Sequence, residues 1–204
     1  MADEIERRFI PAAEVRAEKR EDGKVGISGT AAVVESLSDE IFGFREKIAP
    51  GAFDKALAIS DIRGLFNHDP NMILGRSGTT MRVWVDADGL RYEIPELPAS
   101  RADVAEAIQR GDVTGNSFSF TVADDEWEYH DDGTAIRTIT AFAELFDVGP
   151  VVYPAYPATK VSARAQEMAG NREAPPPPAP ELPAFAIEHE RLLLAEVEQD
   201  NLAV

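Results

Sequence analysis

The chain has 204 residues, of which 44% are hydrophobic, so it is long enough to bury one hydrophobic core. Its formal net charge of -17 at pH 7 repels nucleic-acid phosphates and anionic lipids, which argues against direct binding to nucleic acid or to a membrane. It contains no cysteine, which excludes disulfides, thiolate metal sites and cysteine nucleophiles. We expect an intracellular protein, because no apolar run approaches the roughly 20 residues of a membrane span and the first residues lack a signal peptide's basic and apolar regions.

The first third of the chain is predicted to be rich in strands. Residues 5–10 are predicted to form an opening strand, and residues 25–34, which are rich in small side chains, a second one. The charged residues 14–22 between them indicate an exposed loop. A short helix is predicted over residues 53–59, with Phe53 on its buried side.

Two hairpins and one helix are predicted in the middle of the chain. Residues 81–85 and 90–94 alternate like paired strands, and Asp88-Gly89 supplies the positive φ angles of a tight turn. A second hairpin is predicted between residues 121–129 and 136–139. The helix between the two hairpins is predicted to begin at an N-cap, Ser100, and to end at Gly111.

The residues before the second hairpin form a candidate catalytic strand. Residues 117–122 alternate, so that Phe118 and Phe120 share one face while Ser117 and Ser119 share the other. We interpret Ser117 as a candidate nucleophile. The alternative is an ordinary half-buried strand with two solvent-facing serines, since polar and apolar alternation is the usual strand pattern.

His68 is the best-placed candidate for a general base. It follows a predicted strand over residues 62–67 and precedes a turn limited by Pro70. Of the other two histidines, His130 is predicted at the solvent-exposed tip of a hairpin and His189 in the C-terminal tail. A hydrogen-bonded structural histidine and a weak metal-ligand pattern in Asn67-His68-Asp69 are the alternatives, and no second histidine or cysteine stands at useful metal-binding spacing.

Asp147 is the candidate acid. It lies in the apolar run over residues 142–156, whose only other charge is Glu144. A carboxylate in such a setting is costly unless it is paired, and a histidine such as His68 is a natural partner. A turn-capping role for Asp147 before Gly149 stays open.

Seven short motifs over residues 25–164 stand in one recognisable order: Ala49-Pro50-Gly51-Ala52-Phe53, Phe66-Asn67-His68-Asp69, Leu74-Gly75-Arg76, Asp88-Gly89-Leu90, Arg110-Gly111-Asp112, Ser117-Phe118-Ser119-Phe120, and the run from Asp147 to Tyr156. Their order and spacing resemble those of the prohead (capsid maturation) proteases of tailed phages, a family distantly similar to the herpesvirus assemblins.

This resemblance implies an α+β fold, in which a β-barrel of mostly antiparallel strands is surrounded by helices, as in the herpesvirus proteases. It also implies a serine endopeptidase in which His68 is the base, Ser117 the nucleophile and Asp147 the third member, with Glu144 as the alternative third member.

The sequence departs from the family pattern near this acidic residue. Gly149 stands where the family's acidic motif usually has a serine. Assemblins use an arginine-rich loop for the oxyanion, and backbone N–H groups near Ser117 or the side chain of Arg164 are the candidates here.

The C-terminal part of the chain changes character after the predicted protease domain, residues 1–164. Residues 165–183 are rich in proline and predict an extended linker, and residues 184–204 predict an amphipathic helix and tail. This helix is too short to be stable alone, so we expect it to dock on a partner or to be removed by cleavage.

The resemblance implies a capsid-maturation protease that acts in the host cytoplasm, inside the procapsid. It would cleave the major capsid protein or its scaffold segment, and itself, without a cofactor or a metal. Self-association is a further expectation, and neither nucleic acid nor membrane is expected as a partner. The alternative is a catalytically silent scaffold or assembly factor with the same fold.

Overall fold

The computed structural model of the protein describes residues 4–10, 15–41, 43–131 and 133–153. Strands dominate these residues. The strands are β1 Glu6–Ile10, β2 Val15–Lys19, β3 Val25–Val33, β4 Arg45–Ile48, β5 Arg63–Leu65, β6 Ile73–Arg76, β7 Arg82–Val85, β8 Gly89–Ile94, β9 Gly115–Tyr129 and β10 Ala135–Val151. The helices are α1 Asp54–Ile59, a 3-10 turn Ala99–Arg101 and α2 Ala102–Arg110.

The strands form two sheets. The first sheet has the order β1-β9-β10-β5-β6, with β4 also pairing with β10, and the second has the order β2-β3-β8-β7. Pairing is antiparallel except where β4 and β5 run parallel to β10. The long β9–β10 hairpin is therefore the centre of the first sheet, with β1 on one side of it and β4 and β5 on the other.

An aromatic cluster on one face of β9 anchors the core. Phe118 and Phe120 are buried and stacked, with ring centroids 4.7 Å apart. Phe142 of β10 meets Phe120 edge to face at 4.9 Å and stacks on Phe53, which precedes α1, at 4.4 Å. Such aromatic pairs contribute about 0.5–1.5 kcal/mol each beyond the area that they bury. The cluster therefore holds β9, β10 and α1 together behind the serine face of β9.

The prediction of an exposed loop over residues 14–22 is wrong for residues 15–19 and confirmed for residues 20–22, which form an exposed turn. Residues 15–19 form β2, which pairs antiparallel with β3. Val15 and Ala17 are half-buried against the core, whereas Arg16 and Glu18 alternate with them and are exposed. An edge strand with one solvent-exposed face carries charged side chains at alternate positions. These charges made the sequence of β2 resemble that of a loop.

The predicted helix start is also wrong. Ser100 lies within the 3-10 turn, and α2 begins at Ala102 after Arg101, with no side-chain cap hydrogen bond. Pro98 and the 3-10 turn lead the chain into the helix instead. The predicted end is confirmed, because Gly111 adopts a left-handed φ of 81° and its N–H bonds to the last turn of α2.

The predominance of antiparallel strands is confirmed, but a closed barrel surrounded by helices stays a prediction. In the described ranges the pairing closes neither sheet, and there are two α-helices of six and nine residues. The predicted linker over residues 165–183 and the helix and tail over residues 184–204 lie outside the described residues.

Candidate active site

The two serines of β9 lie on one face of the strand but are not solvent-facing. Ser117 and Ser119 are 0% and 1% exposed, and the core residues Phe118 and Phe120 occupy the opposite face. The alternative interpretation, an ordinary half-buried strand with two solvent-facing serines, is therefore wrong. A hydroxyl buried in this way needs hydrogen-bond partners inside the protein.

His68 is the partner of Ser117. It lies in the loop after β5, and its Nε2 is 2.6 Å from Ser117 Oγ. The loop reaches β9 because β5 pairs with β10, which lies next to β9 in the sheet. Two residues that stand 49 positions apart in the chain therefore meet at hydrogen-bonding distance.

Asp147 completes the connection on the other side of the imidazole. Its Oδ1 lies 2.5 Å from His68 Nδ1, and both side chains are less than 10% exposed. In the register of the first sheet, Asp147 stands opposite Ser119. The buried carboxylate thus has the histidine partner that its apolar surroundings require.

Ser119 is a fourth member of this group that the sequence analysis did not single out. Its Oγ donates to the second carboxylate oxygen of Asp147 at 2.7 Å and lies 3.2 Å from His68 Nδ1. The signal was present in the sequence, because Ser119 shares the face of Ser117 two residues away. Both oxygens of Asp147 are thereby hydrogen-bonded.

Glu144, the reserve candidate for the third member, is exposed and stands opposite Thr121 in the sheet. His130 is also away from this group. It lies beyond the end of β9, and its imidazole is 39% exposed and 3.8 Å from Glu128. Arg164 and His189 lie outside the described residues.

Ser117 Oγ has a second partner on β1. It donates to the main-chain carbonyl of Arg8 at 2.8 Å, in the part of the sheet where Phe9 pairs with Ser117. A hydroxyl has one proton, which cannot be given to the Arg8 carbonyl and to His68 Nε2 at the same time. In the described state, the hydrogen bond from Ser117 to the Arg8 carbonyl therefore competes with transfer of the Ser117 proton to His68, which a nucleophilic serine requires.

A buried ion cluster joins β1 to the rest of the first sheet. Arg137 of β10 donates to Glu6, Glu46 and Asp125 at distances between 2.8 and 3.1 Å. Arg8 donates to Glu6 and Glu46 at 2.6–2.7 Å. These five residues, called the ion cluster below, come from β1, β4, β9 and β10.

The pKa directions in the ion cluster follow from its pairing. Burial alone would raise the pKa of Glu6, but hydrogen bonds and positive charge from Arg137 and Arg8 outweigh it, so the pKa lies below its usual value. Burial lowers the pKa of Arg137, and the surrounding carboxylates more than reverse that effect. Glu6 and Arg137 are therefore held in their ionised forms near neutral pH.

A buried neutral pair holds the residue before Ser117. Tyr92 of β8 donates to Asn116 Oδ1 at 2.6 Å, and both side chains are fully buried. Burial raises the pKa of Tyr92, so the phenol keeps the proton that it donates. This contact ties the second sheet to the start of the serine-bearing segment of β9.

Two further properties bear on the kind of site. In the described ranges no group of three or more His, Cys, Asp or Glu side chains is arranged to hold a metal ion. Nor does any helix in the described part of the chain have the length and apolar character to cross a membrane.

The arrangement can move the proton of a buried hydroxyl to a neighbouring imidazole. A hydroxyl, an imidazole and a carboxylate are in contact through Ser117 Oγ, the two nitrogens of His68, and Asp147 Oδ1. This is the geometry by which an imidazole activates a serine hydroxyl for attack on an acyl carbon.

Comparison with known proteins assigns the chain to a family. No curated protein sequence matches it. Among solved structures, the capsid assembly protease of bacteriophage T4 is similar at 12% sequence identity and a TM-score of 0.47, covering 76% of this chain and 100% of that one. Residues 12–173, well over half of the chain, match the family model described as caudovirus prohead serine protease, which confirms the resemblance found in the motifs. The chain belongs to the caudovirus prohead serine protease family.

Proposed function

We propose that this protein is a serine endopeptidase of capsid maturation, with Ser117 as nucleophile, His68 as general base and acid, and Asp147 as the residue that orients His68. The observation that carries the proposal is the unbroken contact from Ser117 Oγ through His68 to Asp147, at 2.6 and 2.5 Å. The family assignment supports the same chemistry.

The reaction begins when Ser117 Oγ attacks the carbonyl carbon of a peptide bond. As the new C–O bond forms, the hydroxyl proton passes to His68 Nε2. Asp147 accepts a hydrogen bond from His68 Nδ1–H, which selects the tautomer with a free Nε2 and stabilises the imidazolium once it forms. The electron pair of the carbonyl moves to its oxygen, giving a tetrahedral intermediate.

Collapse of this intermediate breaks the C–N bond, and His68 gives its proton to the departing amine. The acyl group is left on Ser117 Oγ. Water then attacks the acyl carbon while His68 takes a proton from it, and the serine is regenerated when that proton returns to Oγ.

Substrate access requires a change from the described state. A near-attack geometry needs a peptide carbonyl carbon within roughly 3–3.5 Å of the nucleophile, yet Ser117 has no exposed surface and donates to the Arg8 carbonyl. Breaking the bond to Arg8 frees the hydroxyl proton for His68. We infer that β1 shifts relative to Ser117 during the catalytic cycle.

The proposed substrates are segments of the major capsid protein or of its scaffold, cleaved inside the procapsid in the host cell, together with the protease's own termini. The family assignment supports this substrate class. The net charge of -17 agrees with action on protein inside a particle and not on nucleic acid.

The alternative is a catalytically silent assembly factor with the same fold. The complete burial of Ser117 is the observation that favours it. The two functions differ in one measurable property, which is whether any peptide bond in the particle is cut in a manner that depends on Ser117.

The deciding experiment is coexpression of the protein with the major capsid protein of the same phage, followed by mass spectrometry of all protein termini. The wild type and the Ser100→Ala control, an exposed serine on the 3-10 turn, are expected to give the same new termini. Ser117→Ala is expected to give none. New termini at undiminished yield with Ser117→Ala would refute the protease assignment and leave the assembly role.

A further inference from the structure

Two consecutive residues at the site have an unusual backbone conformation. Asn67 and His68 have φ angles of 55° and 57°, in the left-handed region that few non-glycine residues adopt. Asparagine enters this region more readily than most residues. Residues in sparsely populated backbone conformations persist where surrounding contacts enforce them, so the contacts of this pair identify what holds His68 in place.

Asn67 is bound at two points to the chain around the end of β10, one within the strand and one just after it. Its backbone N–H donates to the carbonyl of Pro150 at 3.0 Å, and its side-chain Oδ1 accepts from the N–H of Val152 at 2.9 Å. Pro150 and Val152 follow Asp147 by three and five residues. The residue before the imidazole is thereby connected to the segment that carries its carboxylate partner.

Gly149 allows this close approach. A Cβ atom added to Gly149 would stand 2.0 Å from the carbonyl oxygen of Leu65, the last residue of β5. Side-chain atoms do not approach main-chain oxygen so closely, so a residue with a side chain at this position would push β5 and the His68 loop away from β10.

The rest of the loop is closed by contacts of its own. Asp69 Oδ1 accepts from the main-chain N–H and the side-chain amide of Asn71, and the N–H of Met72 donates to the Asp69 carbonyl. These bonds shape the turn without reaching β10. Apart from His68 itself, Asn67 is the residue of this loop whose side chain, in the described contacts, bonds to the segment that follows Asp147, at Val152 just after β10.

We propose that Asn67 is a positioning residue, whose side-chain carbonyl fixes the His68 imidazole between Ser117 and Asp147 by holding its loop to β10. The inference rests on the proposed function, and it assigns to Asn67 a role beyond forming the turn. Without the Oδ1 bond, the loop keeps the backbone bond to Pro150 but can rotate about it. The imidazole then spends less time in line with both partners.

Three substitutions separate the side-chain bond from the backbone conformation. Asn67→Gly adopts the left-handed region without strain but lacks Oδ1. Asn67→Ala lacks Oδ1 and is strained in this region. Asn67→Asp keeps a carbonyl-type acceptor for the Val152 N–H and tolerates the same φ. Asn71→Ala is the matched control, because it removes a side-chain contact within the loop and none to β10.

The first readout is the rate at which a fluorophosphonate probe labels the protein. Ser117 Oγ forms a bond to phosphorus, fluoride departs, and the hydroxyl proton passes to His68, so the rate reports the alignment of these two residues. We expect Asn67→Gly and Asn67→Ala to be labelled about 10- to 100-fold more slowly. We expect Asn67→Asp, with a shifted pH profile, and Asn71→Ala to stay near the wild-type rate.

The second readout does not depend on hydrolytic activity. The His68 Nδ1–H proton, bonded to Asp147, should give a low-field proton resonance in the wild type, in Asn67→Asp and in Asn71→Ala. It should broaden or disappear in Asn67→Gly and Asn67→Ala.

The two readouts together decide the outcome. If Asn67→Gly retains both the resonance and the wild-type labelling rate, Asn67 merely forms the turn and the inference fails. If the wild type shows the resonance but is never labelled, the proposed function fails, and the resonance alone decides the role of Asn67.

Discussion

Leu145 and Asp147 lie two residues apart in β10, yet they occupy opposite faces of the first sheet. Leu145 stands opposite Phe120 in the core, whereas Asp147 stands opposite Ser119 and hydrogen-bonds to it. Residues at positions i and i+2 of a regular strand share a face, but the register shifts between these two residues. This bulge at Phe146 turns β10 so that the carboxylate of Asp147 meets His68.

Replacing that carboxylate by an amide tests its role directly. Asp147→Asn preserves the size of the side chain but can present its NH₂ group to His68 Nδ1, which favours the tautomer that blocks Nε2. We expect the fluorophosphonate labelling rate to fall by roughly 10³- to 10⁴-fold, the size of loss seen when the aspartate of a serine-protease triad is replaced by asparagine.

Glu144→Gln is the matched control for this change, since Glu144 is an exposed carboxylate in the same strand. We expect it to be labelled at the wild-type rate. A large loss in Glu144→Gln combined with an active Asp147→Asn would reverse the assignment of the acidic residue.

Ser119→Ala removes the hydrogen bond to the second oxygen of Asp147. A hydrogen bond to a charged group contributes roughly 1.5–3 kcal/mol, so we expect the labelling rate to fall by about 10-fold or more. The pH profile of labelling should change as well, because the carboxylate next to His68 loses a buried donor. A rate and a pH profile equal to those of the wild type would show that Ser119 does not orient Asp147.

The ion cluster is expected to matter for stability. Arg137→Ala leaves the buried carboxylates of Glu6, Glu46 and Asp125 without their shared partner, and breaking a buried ion pair on one side costs about 3–5 kcal/mol. Urea unfolding measures this free energy.

Arg82→Ala is the control for Arg137→Ala. Arg82 pairs with Glu93 at the surface, with 71% of its side chain exposed, so its loss should cost about 1 kcal/mol or less. Equal destabilisation by the two substitutions would contradict the role of burial in the ion cluster.

Acid should weaken the contribution of Glu6 to stability. Because its folded pKa lies below the unfolded value of about 4.3, pairing of Glu6 stabilises the fold above that pH and is lost as the pH falls through the folded pKa. The difference in unfolding free energy between the wild type and Glu6→Gln should therefore be largest near neutral pH. It should shrink as the pH is lowered below about 4, and a difference independent of pH would show that the charge of Glu6 contributes nothing.

Much of the site could be predicted from local pattern. Alternation placed Ser117 and Ser119 on one face of β9, and His68 was predicted where a strand gives way to a turn. The end of α2 at Gly111 and the hairpin at Gly89 were also readable, because both glycines adopt a positive φ; the positive φ predicted for Asp88 is wrong.

Other features were not readable, because they depend on residues that are distant in the chain. Glu6 and Arg137, which are 131 positions apart, look like surface charges in sequence and are buried partners in the fold. The strand β2 was not readable for the same reason. Its charged residues look like a loop in sequence, and only the pairing with β3 makes them a strand.

The amino-acid sequence by itself determined which chemical groups this protein can use: one well-placed imidazole, a serine-bearing strand, carboxylates and no thiol. Tertiary structure decided which of them meet, choosing Asp147 over Glu144 through a bulge and giving Ser117 a second acceptor on β1. The physical reason is that side-chain identity is local, whereas strand register and burial are set only when separate strands pair.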